Sequence, residues 1–542
     1  MNYLDWFVIT LYFAMIIGLA LYFTRKQKDT NDYYLAGKKI KWWQSGASTM
    51  ATQLGAISFV SAPAFVALKE GGGLKWLAYE FGVPLALIVV MAIIIPVLHR
   101  RNYISIYQYL EERFDPGTRS LVSLFFQLGR GLATAVAVLA GGLILSTALN
   151  ISTIQAILLI GIITVIYDVL GGIRVVILSD FLQMVIIILG LLICGSAALA
   201  VVGWENAWSG FPGERLVILD FKHWGLTAEG TYSFWPMLIG GFFLYASYYG
   251  ADQSQVQREL TVGTVDDVRK SLMVNALGRF PLVLLYCIMG VLVGAVIALP
   301  ESHSQIAAAM QMDASSVTQT LQNDPDRMVP MFILSFLPHG IIGFIFVAIM
   351  AALMSSLDSG INSLSAVTMK DFYQRYMKKE ASETHYLWAS KLITFLWGTF
   401  CVCVAILLSV SGDAAQQTTI VLINAVGSLL YGPILAAFLM GMLTKSISGI
   451  AVKVGIINGI ALNLFLWLWT PISWMWWNLT GFLMSVLVAF LYSLIADKVT
   501  FSFKLDYSVA ADIESSKINW LSIYKLVVLY FILLLAFAYL IE

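Results

Sequence analysis

Fourteen segments of this chain are long and apolar enough to cross a bilayer: residues 3–24, 44–69, 74–98, 118–149, 151–170, 174–203, 234–252, 271–300, 338–366, 386–411, 417–443, 447–469, 475–495 and 519–541. A helix needs about 20 apolar residues to span the hydrocarbon core. No water is available there to satisfy backbone N–H and C=O groups, so each segment must close its own hydrogen bonds as a helix. The fold class that follows is an all-α polytopic membrane protein with 14 transmembrane helices. Composition agrees, because only 12% of the 542 residues are charged, where soluble domains carry about 25%. A formal net charge of zero argues against a nucleic-acid partner. The first segment is too long for a signal-peptide core and lacks a small-residue cleavage site, so it reads as a retained span. Cys194, Cys287, Cys401 and Cys403 fall in apolar stretches and read as packing residues, not as a disulfide framework or a metal cluster.

Basic residues give the orientation, since Lys and Arg collect in cytoplasmic loops. Arg25, Lys26, Lys28, Lys38, Lys39 and Lys41 follow the first span, and further clusters follow the third, seventh and ninth. The intervening loops, including the long ones at 204–233 and 301–337, are poor in Lys and Arg. Both termini are therefore expected outside, in a multi-pass protein of the plasma or inner membrane. The interspan segments leave no room for a soluble catalytic domain. Nor does the chain continue past Glu542 into a signalling kinase, so a sensor is not expected.

Within the ninth span, the apolar run from Gly340 to Met354 turns abruptly to Ser355-Ser356-Leu357-Asp358-Ser359. Polar and ionisable groups at membrane depth are costly and usually face a bundle interior, where they mark an ion or substrate path. At 1.5 Å per residue this block lies roughly seven to eleven residues from the cytoplasmic end of its span. Asp180 in the sixth span, and Ala51 and Leu54 in the second, fall at a similar depth. The second span is itself small and polar in Gly46-Ala47-Ser48-Thr49 and Thr52-Gln53-Leu54-Gly55. Such a span is a candidate broken helix, whose freed carbonyls ligate sodium. A Na⁺ site would combine carbonyls of Ala51, Leu54 and Ala352 with hydroxyls of Ser355 and Ser356. Serines at helical spacing also serve close packing alone, but Asp180 and Asp358 are not needed for that.

Arg130 lies about twelve residues into the fourth span, beyond the reach of snorkelling. Its guanidinium must face protein, water or substrate, and its donor fork suits a carboxylate. That carboxylate belongs either to a substrate or to Glu80 in a structural pair. Arg279 reads as structural near the inner surface. Tyr245, Tyr248 and Tyr249 either stack on a sugar or simply pack.

Taken together, these residues resemble the sodium/solute symporter family, which includes sodium–glucose, sodium–iodide, proline and sialic acid transporters. The resemblance covers roughly residues 3–470. It is carried by Asp32-Tyr33-Tyr34-Leu35-Ala36-Gly37 with Trp42-Trp43, by Gly46-Ala47-Ser48, and by Tyr167-Asp168-Val169-Leu170-Gly171-Gly172 leading to Ser179-Asp180. It continues in Gln257-Arg258, in the stretch Ala351 to Ser359 with Asn362-Ser363, and in Gly432-Pro433. The resemblance implies the inverted-repeat, leucine-transporter-like fold. Residues 44–233 would form the first five-helix repeat and 234–446 the second. Residues 1–43 would contribute one extra helix and 447–542 three. It also implies a sodium site at Ala51, Leu54, Ala352, Ser355 and Ser356, and a second one at Asp180, Ser355, Asp358 and Ser359. Asp358 replaces a serine common in that pattern.

For the solute, Arg130 matches the arginine that clasps the carboxylate of sialic acid. Glu80 matches a glutamate that sugar transporters use on a hydroxyl. Ser58 stands where a sugar-binding glutamine is found, and Asn424 lies near a further sugar-binding position. With Tyr248, these residues make the candidate solute site. The function implied is sodium-coupled import of a small organic solute by alternating access. A sugar acid such as sialic acid, or another carboxylate-bearing solute, is expected, with a neutral sugar or polyol as the alternative. Na⁺ would be the coupling ion, and the lipid bilayer and the solute the partners of a protein working as a monomer. A channel is the remaining competitor. An intramembrane enzyme is not expected, because the five histidines are scattered and form no metal-ligand spacing.

Overall fold

The computed structural model describes residues 1–25, 27–149, 151–209, 211–227, 230–410, 419–498 and 516–541. It is built from helices, with no strand among the described residues. Eleven helices there are long and apolar enough to cross a membrane, or twelve when the pair Trp42–Gln53 and Ile57–Ala67, bent by 51°, counts as one span. Two features separate this count from the expected fourteen. The helix Thr153–Val202 runs for 50 residues, about 75 Å at 1.5 Å per residue and far more than one bilayer needs. It covers two of the expected spans. Residues 234–251 are also helical, but as a short element containing the π-turn Pro236–Gly240. Parts of the expected spans at 386–411 and 417–443 lie outside the described residues.

The long helix is interrupted at Gly172, whose φ of 59° and ψ of −166° are not helical. A straight helix would set Tyr167 and Asp180 about 20 Å apart along its axis. Instead, Tyr167 donates through its OH to Asp358, while Asp180 shares Arg258 with Ser359. Both thus meet one turn of the Ile341–Val367 helix, so the chain doubles back at Gly172. Glycine is needed there twice over. Its φ lies in the left-handed region, and a Cβ would stand 2.7 Å from the Tyr33 carbonyl oxygen.

Burial ranks the spans. The span Ile341–Met377 is buried over 83% of its most apolar window, against 22% for Tyr3–Thr24 and 17% for Trp520–Ile541. The first is the centre of the bundle and the other two its lipid-facing rim. Ile341–Val367 packs against Thr153–Val202, Pro116–Leu149, Tyr3–Thr24 and both halves of the bent pair. This explains why its serines, Asp358 and Asn362 are tolerated: they point at other helices, not at lipid.

Gly172→Ala should lower stability by about 2 kcal/mol through backbone strain and the clash with Tyr33. The readout is thermal unfolding of purified protein in detergent, and an unchanged transition would show that the break tolerates a side chain.

Candidate functional site

The Trp42–Gln53 helix stops in mid-bundle because Leu54 leaves helical geometry, at φ −93° and ψ 65°, and Gly55 is extended. The chain re-enters a helix at Ala56. Local turns partly repair the gap: Leu54 N donates to the Ala51 carbonyl at 2.9 Å, and Ser58 N to the Gly55 carbonyl at 2.8 Å. Ser356 faces the break from the Ile341–Val367 helix. Its Oγ donates to the carbonyls of Thr52 and Ala352, both at 3.4 Å. The approach is close enough that a Cβ on Gly55 would lie 3.0 Å from that hydroxyl. The Ser355 Oγ is fully buried. Broken-helix carbonyls beside serine hydroxyls form an all-oxygen set of the kind that coordinates Na⁺. The structure thus brings the segments of Ala51 and Leu54 against those of Ala352, Ser355 and Ser356.

One turn further along, Ser359 joins this group to a cluster of buried carboxylates. Its Oγ is 3.0 Å from Thr52 Oγ1 and donates to Asp358 Oδ1 at 3.2 Å. Asp358 also takes the Tyr167 hydroxyl. Asp180 accepts from Ser48 Oγ at 2.6 Å and from Arg258 Nη2 at 3.3 Å. Asp168 accepts from Asn362 Nδ2 at 3.0 Å. All three carboxylates are fully buried. Arg258 reaches in from the short helix Gln253–Glu259, donating to Ser48 Oγ at 2.9 Å and to Ser359.

On the other side of the broken helix lies a central cavity of about 150 Å³, walled by Gln53, Ser58, Arg130, Tyr248, Arg279 and Ser356 among others. Ser356 therefore touches both the cavity and the helix break. The Arg130 guanidinium lies 5.5 Å from the Tyr248 ring centroid and 3.9 Å from Asp252, and also donates to Ser254. Its Nε is buried without a partner. Ser58 Oγ reaches the Gln53 carbonyl at 3.4 Å. The Asn424 side chain lies outside the described residues.

The pairing of charges differs from the structural alternative that the sequence offered. Arg130 meets Asp252, whereas Glu80 is held by Arg279 at 2.9 and 3.3 Å and by Tyr245 OH at 3.0 Å. Glu80 is not among the cavity-lining residues. It lies near the end of a 3₁₀ stretch, Leu74–Phe81, which rises about 2.0 Å per residue and carries it deeper than an α-helix would. Arg279, read as structural near the inner surface, sits towards the middle of Val265–Ala298 and faces the cavity. Above the cavity, a vestibule of about 1180 Å³ opens between Lys69, Arg215, His303 and Arg327. Ser61 and Ala140 in its wall lie one helical turn from Ser58 and Ala137 in the cavity wall.

Sequence reasoning missed the roles of Arg258 and Asp252. Arg258 belongs to the basic cluster that follows the seventh span, which reads as cytoplasmic loop charge. The available signal was Asp180 and Asp358 themselves, since buried carboxylates call for a counter-cation.

Residues 33–459 match the sequence profile of the sodium:solute symporter family. The sodium/sialic acid symporter NanT of Aliivibrio fischeri is 28% identical over 505 residues, covering 91% of this chain and 92% of that protein. The sodium/glucose cotransporter of Vibrio parahaemolyticus is 27% identical, covering 86% and 85%. The solved structure of a substrate-bound, outward-open Na⁺-coupled sialic acid symporter superposes with a TM-score of 0.80. It is 24% identical in sequence and covers 93% of this chain and 100% of that one, so the two share a fold. The chain belongs to the sodium:solute symporter family.

Glu80→Ala would leave Arg279 buried and unpaired, which should cost about 3–5 kcal/mol. Thermal unfolding in detergent should show a large fall for Glu80→Ala and partial recovery in Glu80→Ala/Arg279→Met. Equal falls in both would mean the pair is not coupled.

Proposed function

We propose that this member of the sodium:solute symporter family imports a small carboxylate-bearing solute, a sugar acid such as sialic acid, together with Na⁺. The observation that carries this reading is Ser356, which lies at once in the wall of the solute cavity and against the broken helix. Sodium held by the carbonyls of Ala51, Leu54 and Ala352 and the hydroxyls of Ser355 and Ser356 would tie the two helix segments to the bundle centre. It would thereby fix one wall of the cavity. An ordering of this kind raises solute affinity through a coupling free energy of about 1–3 kcal/mol. Asp180, Ser355, Asp358 and Ser359 form the second sodium site in this reading.

In the same reading the chain crosses the membrane fourteen times. Gly172 separates the fifth crossing from the sixth, and residues 44–233 and 234–446 form the two inverted repeats. Residues 1–43 and 447–542 flank them, both termini lie outside, and one chain suffices for transport. The vestibule lies beside the loop 301–337, on the side poor in Lys and Arg, so in this reading it faces the outside.

Arg130 would receive the solute carboxylate with its unpartnered Nε and its fork, with Tyr248 and Ser58 near the rest of the molecule. The relatives that transport sialic acid support an acid. One observation favours a neutral sugar or polyol instead. Both cavity guanidiniums already have a protein carboxylate, Asp252 for Arg130 and Glu80 for Arg279.

Sodium-dependent, uphill uptake into proteoliposomes is the expected activity, and flux that never exceeds equilibrium would point to a channel. Ser356→Ala should weaken the sodium dependence of uptake by about fivefold or more; full retention would remove this residue from the ion site. A thermal-shift screen of sugar acids, monocarboxylates and neutral sugars in sodium against potassium identifies the solute. Arg130→Ala should abolish the sodium-enhanced shift by an acid. Retention of that shift would remove Arg130 from the solute site, and a wild type shifted by neutral sugars but by no acid would overturn the acid reading.

A further inference from the structure

The Asp180 carboxylate is only half engaged. Its Oδ2 takes Ser48 and Arg258, while its Oδ1 is buried and accepts nothing. Ser355 lies beside it, its fully buried hydroxyl the near donor to this carboxylate. A carboxylate oxygen and a hydroxyl oxygen side by side are also ligands that a hard cation takes. Arg258 already sets one positive charge 3.3 Å from this carboxylate. A further cation on Oδ1 and Ser355 would lie against the guanidinium that holds Oδ2. Like charges at such range repel strongly where the dielectric is low.

The position of Arg258 allows it to yield. It belongs to a short helix that begins after Asp252, where the chain leaves helical geometry at φ −93° and ψ 120°. From there it latches three elements together, through Ser48 of Trp42–Gln53, Asp180 of Thr153–Val202 and Ser359 of Ile341–Val367. The same short helix touches two residues of the cavity wall, Arg130 through Ser254 and Tyr248 through Gln255. Ser254 accepts from Arg130 through its Oγ and from Arg258 through its carbonyl.

We propose that Arg258 is a tethered cation that competes with the second sodium ion for Asp180. Guanidinium and ion hold the carboxylate alternately, and the Gln253–Glu259 helix shifts with the exchange. This rests on reading Asp180, Ser355, Asp358 and Ser359 as a second sodium site. Through Ser254, the exchange is felt at Arg130, so occupancy of the ion site and of the solute cavity are linked on the cytoplasmic side of the bundle.

The test is equilibrium binding of radioactive sodium to the purified full-length protein, in wild type, Arg258→Gln, Asp180→Asn and the double variant. Arg258→Gln should tighten the weaker of two binding phases by about fivefold or more, or raise the count from one ion to two. Asp180→Asn should cancel either effect. Two ions in the wild type, unchanged by Arg258→Gln but reduced to one by Asp180→Asn, would overturn the competition and keep the second site. One ion in all four proteins would overturn the site and the competition with it. A second measurement uses the wild type alone and stands whether or not Arg258→Gln folds. Hydrogen exchange of residues 253–259 should accelerate as sodium rises through the weaker phase, and exchange that stays constant would overturn the proposal.

Discussion

A charge inside a bilayer has no water to fall back on, and the interior of this protein is organised around that shortage. Three buried or largely buried arginines each find a carboxylate on another part of the chain: Arg258 with Asp180, Arg279 with Glu80, and Arg130 with Asp252. Each pair joins elements that lie far apart in sequence. Apolar side chains exert little mutual attraction when the competing surroundings are lipid tails. Polar contacts of this kind are therefore what distinguish one arrangement of apolar helices from another.

Much of this was legible in the chain. Apolar runs showed where helices cross, and the small, polar residues from Gly46 to Gly55 marked the helix that breaks. The block Ser355 to Ser359 marked the helix that is most buried. The partners of the charges were less legible. Glu80 was offered as a partner for Arg130 but is held by Arg279, which was placed near a surface when it faces the cavity. Arg258 was hidden by its neighbourhood, since a basic residue beyond the end of a span looks like loop charge until the loop folds inward. Pairings of this type depend on how helices are arranged around one another, which periodicity and hydropathy do not encode.

The proposed ion and solute sites are separated in this bundle by very little protein. Ser356 forms part of the cavity wall and also reaches the carbonyls at the helix break, while Ser254 stands between Arg130 and Arg258. Two short chains of contacts thus connect the cavity with the polar cluster, one through the broken helix and one through the Gln253–Glu259 segment. Coupling between sites needs differential contacts in two states of one element. Both chains run through elements whose helical geometry is interrupted, at Leu54–Gly55 and at Asp252, where backbone angles can change at small cost to the packing around them.

The break at Leu54–Gly55 also has a consequence for how such a protein can change over generations. Three of the five ligands in the proposed first sodium site are main-chain carbonyls, and every amino acid carries one. A replacement at Ala51, Leu54 or Ala352 alters size and fit but cannot delete the oxygen. The cavity wall is written in side chains instead, in Arg130, Ser58 and Tyr248, where a single codon change alters the chemistry offered to a solute. Mutation therefore acts unevenly on the two halves of the machine: the cargo can be renegotiated one residue at a time while the ion that drives it stays the same.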